Sequence, residues 1–410
     1  MSLLRHADFR RLWAGDTLSQ FGQKIGETAI PLLAATVLAA TPMQMGVLTA
    51  AETAAFLVIG LPAGVWVDRW RRRPIMLRAD FVRAALLISV PIAWWAGVLT
   101  LGQLIVVALL TGVCTVFFDL AYQSYLPSLV GREHLLEGNS KLQSSLSVAQ
   151  VAGPGLGGAL VQLAGAANAV LTTGIGFLCS ALCLARIKTV EPEPVRHEDE
   201  KLWPRITEGL RFVFGNPLLR PITCATGTAN LGNLMLGAVT VLFLTREVGL
   251  SPAAVGALLA VAGIGSVAGA LTARWCIARI GQVRSIWLVS LVSLPGQLLL
   301  PFAAPGWRIG LAAFGLLLFG YGVVVYNVAQ LSFRQSICPD GMLGRMNASI
   351  RFLVYGIQPI GGLLGGLLGE LIGVRGAVFA GAAVQASAVL WLIVSPIRKL
   401  RDVPELVKPG

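Results

Sequence analysis

Asp16, Gln20, Gln23 and Glu27 fall within the stretch "GDTLSQFGQKIGET", inside a segment otherwise apolar enough to cross a membrane. At about 100° per residue, this spacing puts all four on one helix face, with Ser19 and Lys24 at its margins. Glu27 sits roughly 16 Å further along the axis than Asp16. Turned toward lipid, such a stripe would cost several kcal/mol per charge, so it must face water or protein. Glu52, in the next apolar segment, is expected at a depth similar to Glu27. Two carboxylates beside a lysine in weakly polar surroundings can hold protons with widely different affinities, which is the chemistry proton coupling needs. Glu27 and Glu52 are therefore candidate proton carriers, with Lys24 modulating them. The alternatives are a static Lys24–Glu27 ion pair that merely tolerates burial, or carboxylates that bind a cationic ligand directly.

The rest of the chain supplies the elements that must hold this stripe. Its 410 residues are 55% hydrophobic and 13% charged, with a mean hydropathy of +0.75. A soluble domain carries about twice that charged fraction. Apolar runs of membrane-spanning length occur at about 12–38, 44–67, 75–97, 101–124, 140–163, 166–188, 219–245, 252–277, 283–304, 307–330, 347–369 and 374–396. The expected fold is an all-α membrane protein with twelve transmembrane helices. Residues 1–188 form one six-helix bundle and 219–410 a second bundle with a short tail. Residues 189–218 form a Pro- and Glu-rich cytoplasmic linker that turns into an amphipathic surface helix. The opening "MSLLRHADFRRLW" reads as an amphipathic lead-in rather than a cleavable signal peptide.

All Lys and Arg residues except Lys24, Arg246, Arg308 and Arg375 fall at the N-terminus, in even-numbered loops and their flanks, in the linker or in the tail. The positive-inside rule then makes both termini cytoplasmic. This assignment counts Arg83 with the loop after the second span and Arg334 with a later loop. The net charge of +12 is thus a membrane signature, and nucleic-acid binding is set aside. The six cysteines show no spacing suited to disulfides or a metal, and no metal or cofactor is expected. Without a G-x-x-x-x-G-K-[ST] loop, ATP is not the direct energy source.

At an offset of 208 residues, Gly112 matches Gly320, Ala121 matches Ala329 and Asn139 matches Asn347. Gly153, Gly157 and Gly158 likewise match Gly361, Gly365 and Gly366, and Asp119 falls opposite Asn327. Such a register argues for two parallel six-helix repeats around a central cavity, a known transporter plan.

Between the second and third runs stands "GVWVDRWRRRP". It resembles the signature loop of the major facilitator superfamily, G-x-x-x-D-R-x-G-x-R-R, and departs from it at Arg71 and Pro74. The resemblance implies a cytoplasmic latch built on Asp68, Arg69 and Arg73. A positive-inside anchor would explain the arginines but not Asp68. Asp16, near the cytoplasmic entrance, and Arg345 join this gate. So does Asp119, which Arg69 or Arg73 could reach and which reads as a gating partner rather than a ligand. "QVAGPGLGGAL" contains Gly153, Pro154, Gly157 and Gly158, whose G-P-x-x-G-G core resembles a motif associated with antiporters of the superfamily. Physics alone gives a bendable, closely packed helix. The stretches "DFRRLWAGDTLSQFG" and "FFDLAYQSYLPSLVGREHLLEGNSKLQSS" look like the macrolide-efflux and enterobactin-exporter branch of drug:proton antiporters. Export is what the resemblance implies. Other branches often carry an arginine in the fourth span, and this one carries none there.

Across the pseudo-symmetry, Asn230, Asn233, Tyr326, Asn327, Gln330 and Gln358 are neutral polar groups. With Gln20, Gln23, Phe118 and Tyr122 they are expected to build a large, mostly uncharged, amphipathic pocket, although each could simply hydrogen-bond between helices. The expected function is proton-coupled efflux of a bulky amphipathic organic compound (an antibiotic, another drug or a siderophore) by alternating access. Proton-coupled uptake, lipid translocation and a non-transporting receptor or scaffold are the alternatives. The chain is read as a transporter and not an enzyme, a monomer in the cell membrane whose partners are a small molecule, protons and the bilayer.

Overall fold

The computed structural model describes residues 3, 6–131, 134–189, 191, 202–339 and 342–402. Among them helix follows helix with no strand, as a chain in hydrocarbon requires, because backbone groups there must be satisfied within their own segment. Ten helical segments are long and apolar enough to cross a membrane. Two further long helices, α1 (Ala7–Thr36) and α3 (Arg72–Trp95), carry more charge, including Asp16, Lys24 and Glu27 on the first and Asp80 and Arg83 on the third. The chain falls into two compact units: residues 1–40, 51–199 and 251–260 form one, and 41–50, 200–250 and 261–410 the other.

The first unit is built from α1, most of α2 (Pro42–Arg69), α3, α4 (Leu101–Val130), α5 (Leu135–Ala164) and α6 (Ala166–Ala185). Glycines decide how α1 is seated. Gly15, Gly22 and Gly26 let it lie against Ser180, Cys183 and Thr173 of α6, where an added Cβ would come within 3.0–3.3 Å of its neighbours. On another flank, Gly153 and Gly157 of α5 bring that helix against Lys24, Ile25 and Thr28. These glycines remove side chains from two flanks of α1, which is the usual way helices gain contact in a lipid environment. An apolar cluster that includes Phe9, Leu12, Met76 and Tyr125 fills one end of the unit.

The second unit holds α7 (Leu202–Gly215), α8 (Leu219–Leu242), most of α9 (Pro252–Ile280), α10 (Gln282–Gly296), α11 (Ile309–Ile337), α12 (Leu343–Gly356), α13 (Gln358–Ile372) and α14 (Val374–Ile393). The run expected at 283–304 continues from α10 into a 3₁₀ turn, Gln297–Phe302, around Pro301. The run expected at 347–369 is broken between α12 and α13, where Pro359 occupies the first turn of the second helix and donates no backbone hydrogen bond. The amphipathic α7 is not simply a solvated surface helix. Its Gly209 lies on α12 so closely that a Cβ would meet the Arg345 carbonyl at 2.5 Å, and Glu208 pairs with Arg345 at 2.6 Å.

One further element of the repeat emerges at the turns. Gly165 joins α5 to α6 at φ 87°, ψ 156°, and Gly373 joins α13 to α14 at φ 81°, ψ 160°. They are 208 residues apart, the same offset as the other matches. Both positions need glycine, because an L side chain rarely adopts this φ.

Candidate functional site

α1 brings the stripe together as its spacing dictates. The Lys24 ammonium donates to both Glu27 carboxylate oxygens, at 2.7 and 2.8 Å, and the Gln23 amide donates to Oε1 at 3.4 Å. The Glu27 side chain remains 48% exposed and that of Lys24 20%, so the pair sits on an accessible face. Lys24 also bears directly on Gly153. The glycine of the antiporter-like motif and the ion pair thus share one contact. Gly157 packs on Ile25 and Thr28. Gly158 and Pro154 instead meet Gly256, in the 251–260 segment of the same unit. Glu52 of α2 is held from behind by Gly112 of α4, whose added Cβ would meet the Glu52 carbonyl at 2.7 Å. Its carboxylate is close enough to Glu27 for the two charges to act on each other.

A second polar cluster lies among α1, α3 and α4. Asp16 is buried at 4% exposure and faces Gln20 and Tyr122, with Asp80 and Asp119 within electrostatic reach. The expectation for Arg83 requires correction. It is no membrane-edge anchor: it is 1% exposed, and it pairs with Asp80 one helical turn earlier on α3. Its guanidinium donates to Thr115 Oγ1 at 3.3 Å and lies between the rings of Phe118 and Phe177, 4.4 and 4.2 Å from their centroids. Asp80 Oδ2 and Arg83 Nε have no hydrogen-bond partner among the described residues. Phe118, expected on a ligand-facing wall, is buried at 5% and stacks on Tyr122 with centroids 5.9 Å apart. Counting arginines by their distance from an apolar edge hid this pair. The i, i+3 spacing of Asp80 and Arg83 inside the 75–97 run was the signal available.

At one end of this unit the α3 N-terminus is capped from the linker. Glu191 accepts the backbone N–H groups of Arg72 and Arg73, at 2.9 and 3.1 Å, and pairs with the Arg72 side chain. Arg73 was one of the two arginines read as able to reach Asp119. It donates instead to the Leu184 and Ala185 carbonyls at the end of α6, at 3.0 and 2.8 Å, where helix carbonyls lack intrahelical partners. Arg69 is exposed on the last turn of α2. The Asp68 side chain lies outside the described residues. Asp8 accepts from the Thr189 hydroxyl at 2.6 Å, from the Thr189 and Lys188 N–H groups at 2.9 and 3.1 Å, and from Arg11. Burial alone would raise its carboxyl, but these donors outweigh it and hold it down at about 2. Arg345 stands in the second unit and is engaged there by Glu208.

The second unit lines a partly open cavity of about 470 Å³. Asn230, Asn233, Tyr326, Asn327, Gln330 and Gln358, six groups chosen from the sequence, all line it. Tyr326 OH lies 2.7 Å from Thr226 Oγ1, and the Asn230 amide donates to the Thr226 carbonyl. Arg334, Arg351 and Gln385 are among the lining residues that were not anticipated. Arg334 is 8% exposed near the end of α11 rather than in a loop.

Residues 12–358 match the model of the Major Facilitator Superfamily. The multidrug efflux pump Tap of Mycolicibacterium fortuitum is 26% identical to this chain, over 82% of this chain and 83% of the pump. The enterobactin exporter EntS of Shigella boydii is 27% identical, over 85% of this chain and 82% of the exporter. Among solved structures, the nucleoside transporter NupG superposes with a TM-score of 0.75 at 13% identity, covering 94% of this chain and 98% of that one. At that identity the last likeness speaks to fold alone.

Proposed function

The chain belongs to the Major Facilitator Superfamily, and from that premise we propose that it exports a bulky amphipathic organic compound from the cytoplasm in exchange for protons, by alternating access across the cell membrane. It is a multi-pass membrane transporter, and its efflux-pump relatives support export as the general activity. The finer reading rests on one observation: Glu27, paired with Lys24 on an accessible face of α1, lies within electrostatic reach of Glu52 on α2.

The chemistry follows from charge balance. With Glu27 ionised, its ion pair with Lys24 is complete and Glu52 feels a neighbouring negative charge. A proton taken up by either carboxylate removes one negative charge and weakens the mutual repulsion, and a proton on Glu27 also breaks its ion pair with Lys24. The site therefore exists in two charge states that prefer different surroundings, which is what a coupled carrier requires. Asp16, Asp119, Arg69, Arg73 and Arg345 serve as charged groups toward the cytoplasmic side in this reading, which also makes both termini cytoplasmic. The cavity of the second unit contributes to substrate recognition.

The test is efflux from proteoliposomes under an imposed pH gradient, with a panel of lipophilic cations, macrolides and siderophores. Wild type is compared with Glu27→Gln and Glu52→Gln. Gradient-driven movement should be lost in Glu27→Gln while gradient-independent exchange or binding survives. Proton-driven export that is indifferent to both substitutions would end the coupling assignment.

A further inference from the structure

The cavity of the second unit is open on one side and carries unspent positive charge. At about 470 Å³ it falls in the size range of small-molecule sites. Arg334 reaches it from α11, more than nine-tenths buried, with no ion pair or hydrogen bond among the described residues and with Nε unsatisfied. Arg351 of α12 also lines it, its guanidinium 5.9 Å over the Tyr355 ring. Beside them, Gln330 Oε1 and both polar atoms of the 1%-exposed Gln385 lack partners.

Each described acid of the second unit is engaged elsewhere. Glu208 pairs with Arg345 and Glu247 with Arg375. Glu370 accepts the Met43 N–H, and Asp402 accepts the Gln282 N–H beside Arg401. None of these four lines the cavity. A buried cation without a counter-charge is costly unless something else supplies one. A guanidinium flanked by amides and a phenol presents donors that suit a planar carboxylate or phenolate.

We infer that this cavity is an anion subsite: the exported compound is an amphipathic acid whose carboxylate or phenolate docks on Arg334, with Arg351 adding long-range charge and Gln330 and Gln385 accepting or donating to neighbouring polar groups. This names the substrate class for the transport function proposed above and rests on that reading. The same anionic chemistry could come from a phospholipid head, and the experiment separates the two.

The experiment is equilibrium binding by fluorescence polarisation, with the full-length protein in phosphatidylcholine nanodiscs and no gradient. Two acid–ester pairs are the probes: rhodamine B with its methyl ester, and dansyl-11-aminoundecanoic acid with its methyl ester. Wild type should bind at least one acid about tenfold tighter than its ester, the size of one charge-assisted hydrogen bond. Arg334→Gln should bring that ratio to about one. Arg334→Lys, which keeps the charge but not the fork, should bring it to a few-fold and serves alone if Arg334→Gln does not fold. No acid preference for either pair in wild type, absence of binding included, overturns the inference, as does an undiminished ratio in Arg334→Gln or Arg334→Lys. A preference that disappears in phosphatidylglycerol nanodiscs assigns the seat to a lipid head and overturns it as a substrate subsite. Glu27→Gln should keep the tenfold ratio even as it stops gradient-driven export, so the coupling assignment and the substrate class fail separately.

Discussion

Gly153→Ala adds one methyl group at the place where α5 rests on Lys24. That methyl would overlap the Lys24 Cβ and stand 3.2 and 3.3 Å from its backbone carbon and Cα. Ordinary carbon contacts are about 3.5–4.0 Å, and the Lys24 backbone belongs to a helix already pinned to α6. The helices must therefore separate, which overpacking data value at about 1–3 kcal/mol. Gly155→Ala is the matched control. It lies two residues along the same helix, and its added Cβ would find only Ala260 Cβ at an ordinary 3.9 Å. Both changes gain the same helix propensity, about 1 kcal/mol, so that term cancels in the comparison. The expected difference is about 1–3 kcal/mol in favour of Gly155→Ala. It should appear as a lower thermal midpoint for Gly153→Ala in detergent, together with a larger loss of pH-gradient-driven transport. Equal stability and equal transport in the two variants would refute the claim that Gly153 is needed to seat Lys24.

Arg83→Met alone should destabilise the protein by about 3–5 kcal/mol, because it strands a buried Asp80. Combined with Asp80→Leu, most of that loss should return. A double-substitution cycle in detergent melts checks this, and strictly additive losses would contradict it. The Asp8 contact has an acid limit. Its carboxyl is held at about 2, below the usual carboxylate range, so its contribution is fully present above about pH 4 and lost as pH falls through about 2. Amide protection of Lys188 and Thr189, corrected for intrinsic exchange, should hold constant from about pH 8 to about pH 5 and fall only in that acid window. Asp8→Asn should show weaker protection and no such step.

Apolar run length made the helices legible, since a hydrocarbon slab imposes its thickness on any sequence. The 208-residue register was legible for the same kind of reason: Gly153, Gly157 and Gly158 recur because helices in both halves must approach without side chains between them. Six polar groups picked by type in the second half of the sequence share one cavity. What stayed hidden was direction. Arg334 lies within a turn of a helix end, where long side chains can snorkel outward, and a one-dimensional count assigned Arg83 to the charged loop before its helix, so both were treated as edge charges. Only packing shows Arg83 turned between Phe118 and Phe177 and Arg334 turned into the cavity. Likewise Arg73 lies within the gate motif in sequence, yet the Leu184 and Ala185 carbonyls at the end of α6 claim it. The proximity of Gly153 to Lys24 was beyond reach, because no pattern in either helix encodes which residue of the other it meets.

The seating of α1 has a kinematic consequence. Gly15, Gly22 and Gly26 lock it to α6, and Gly153 and Gly157 lock α5 to it. A helix gripped on two flanks at near-backbone distance cannot roll about its own axis without lifting off both. Its polar stripe therefore keeps a fixed azimuth through any working cycle. Glu27 can exchange one environment for another only when the surroundings are carried past it, so in the proposed exchange the stripe is a stationary contact and the parts that move would set the timing of proton uptake.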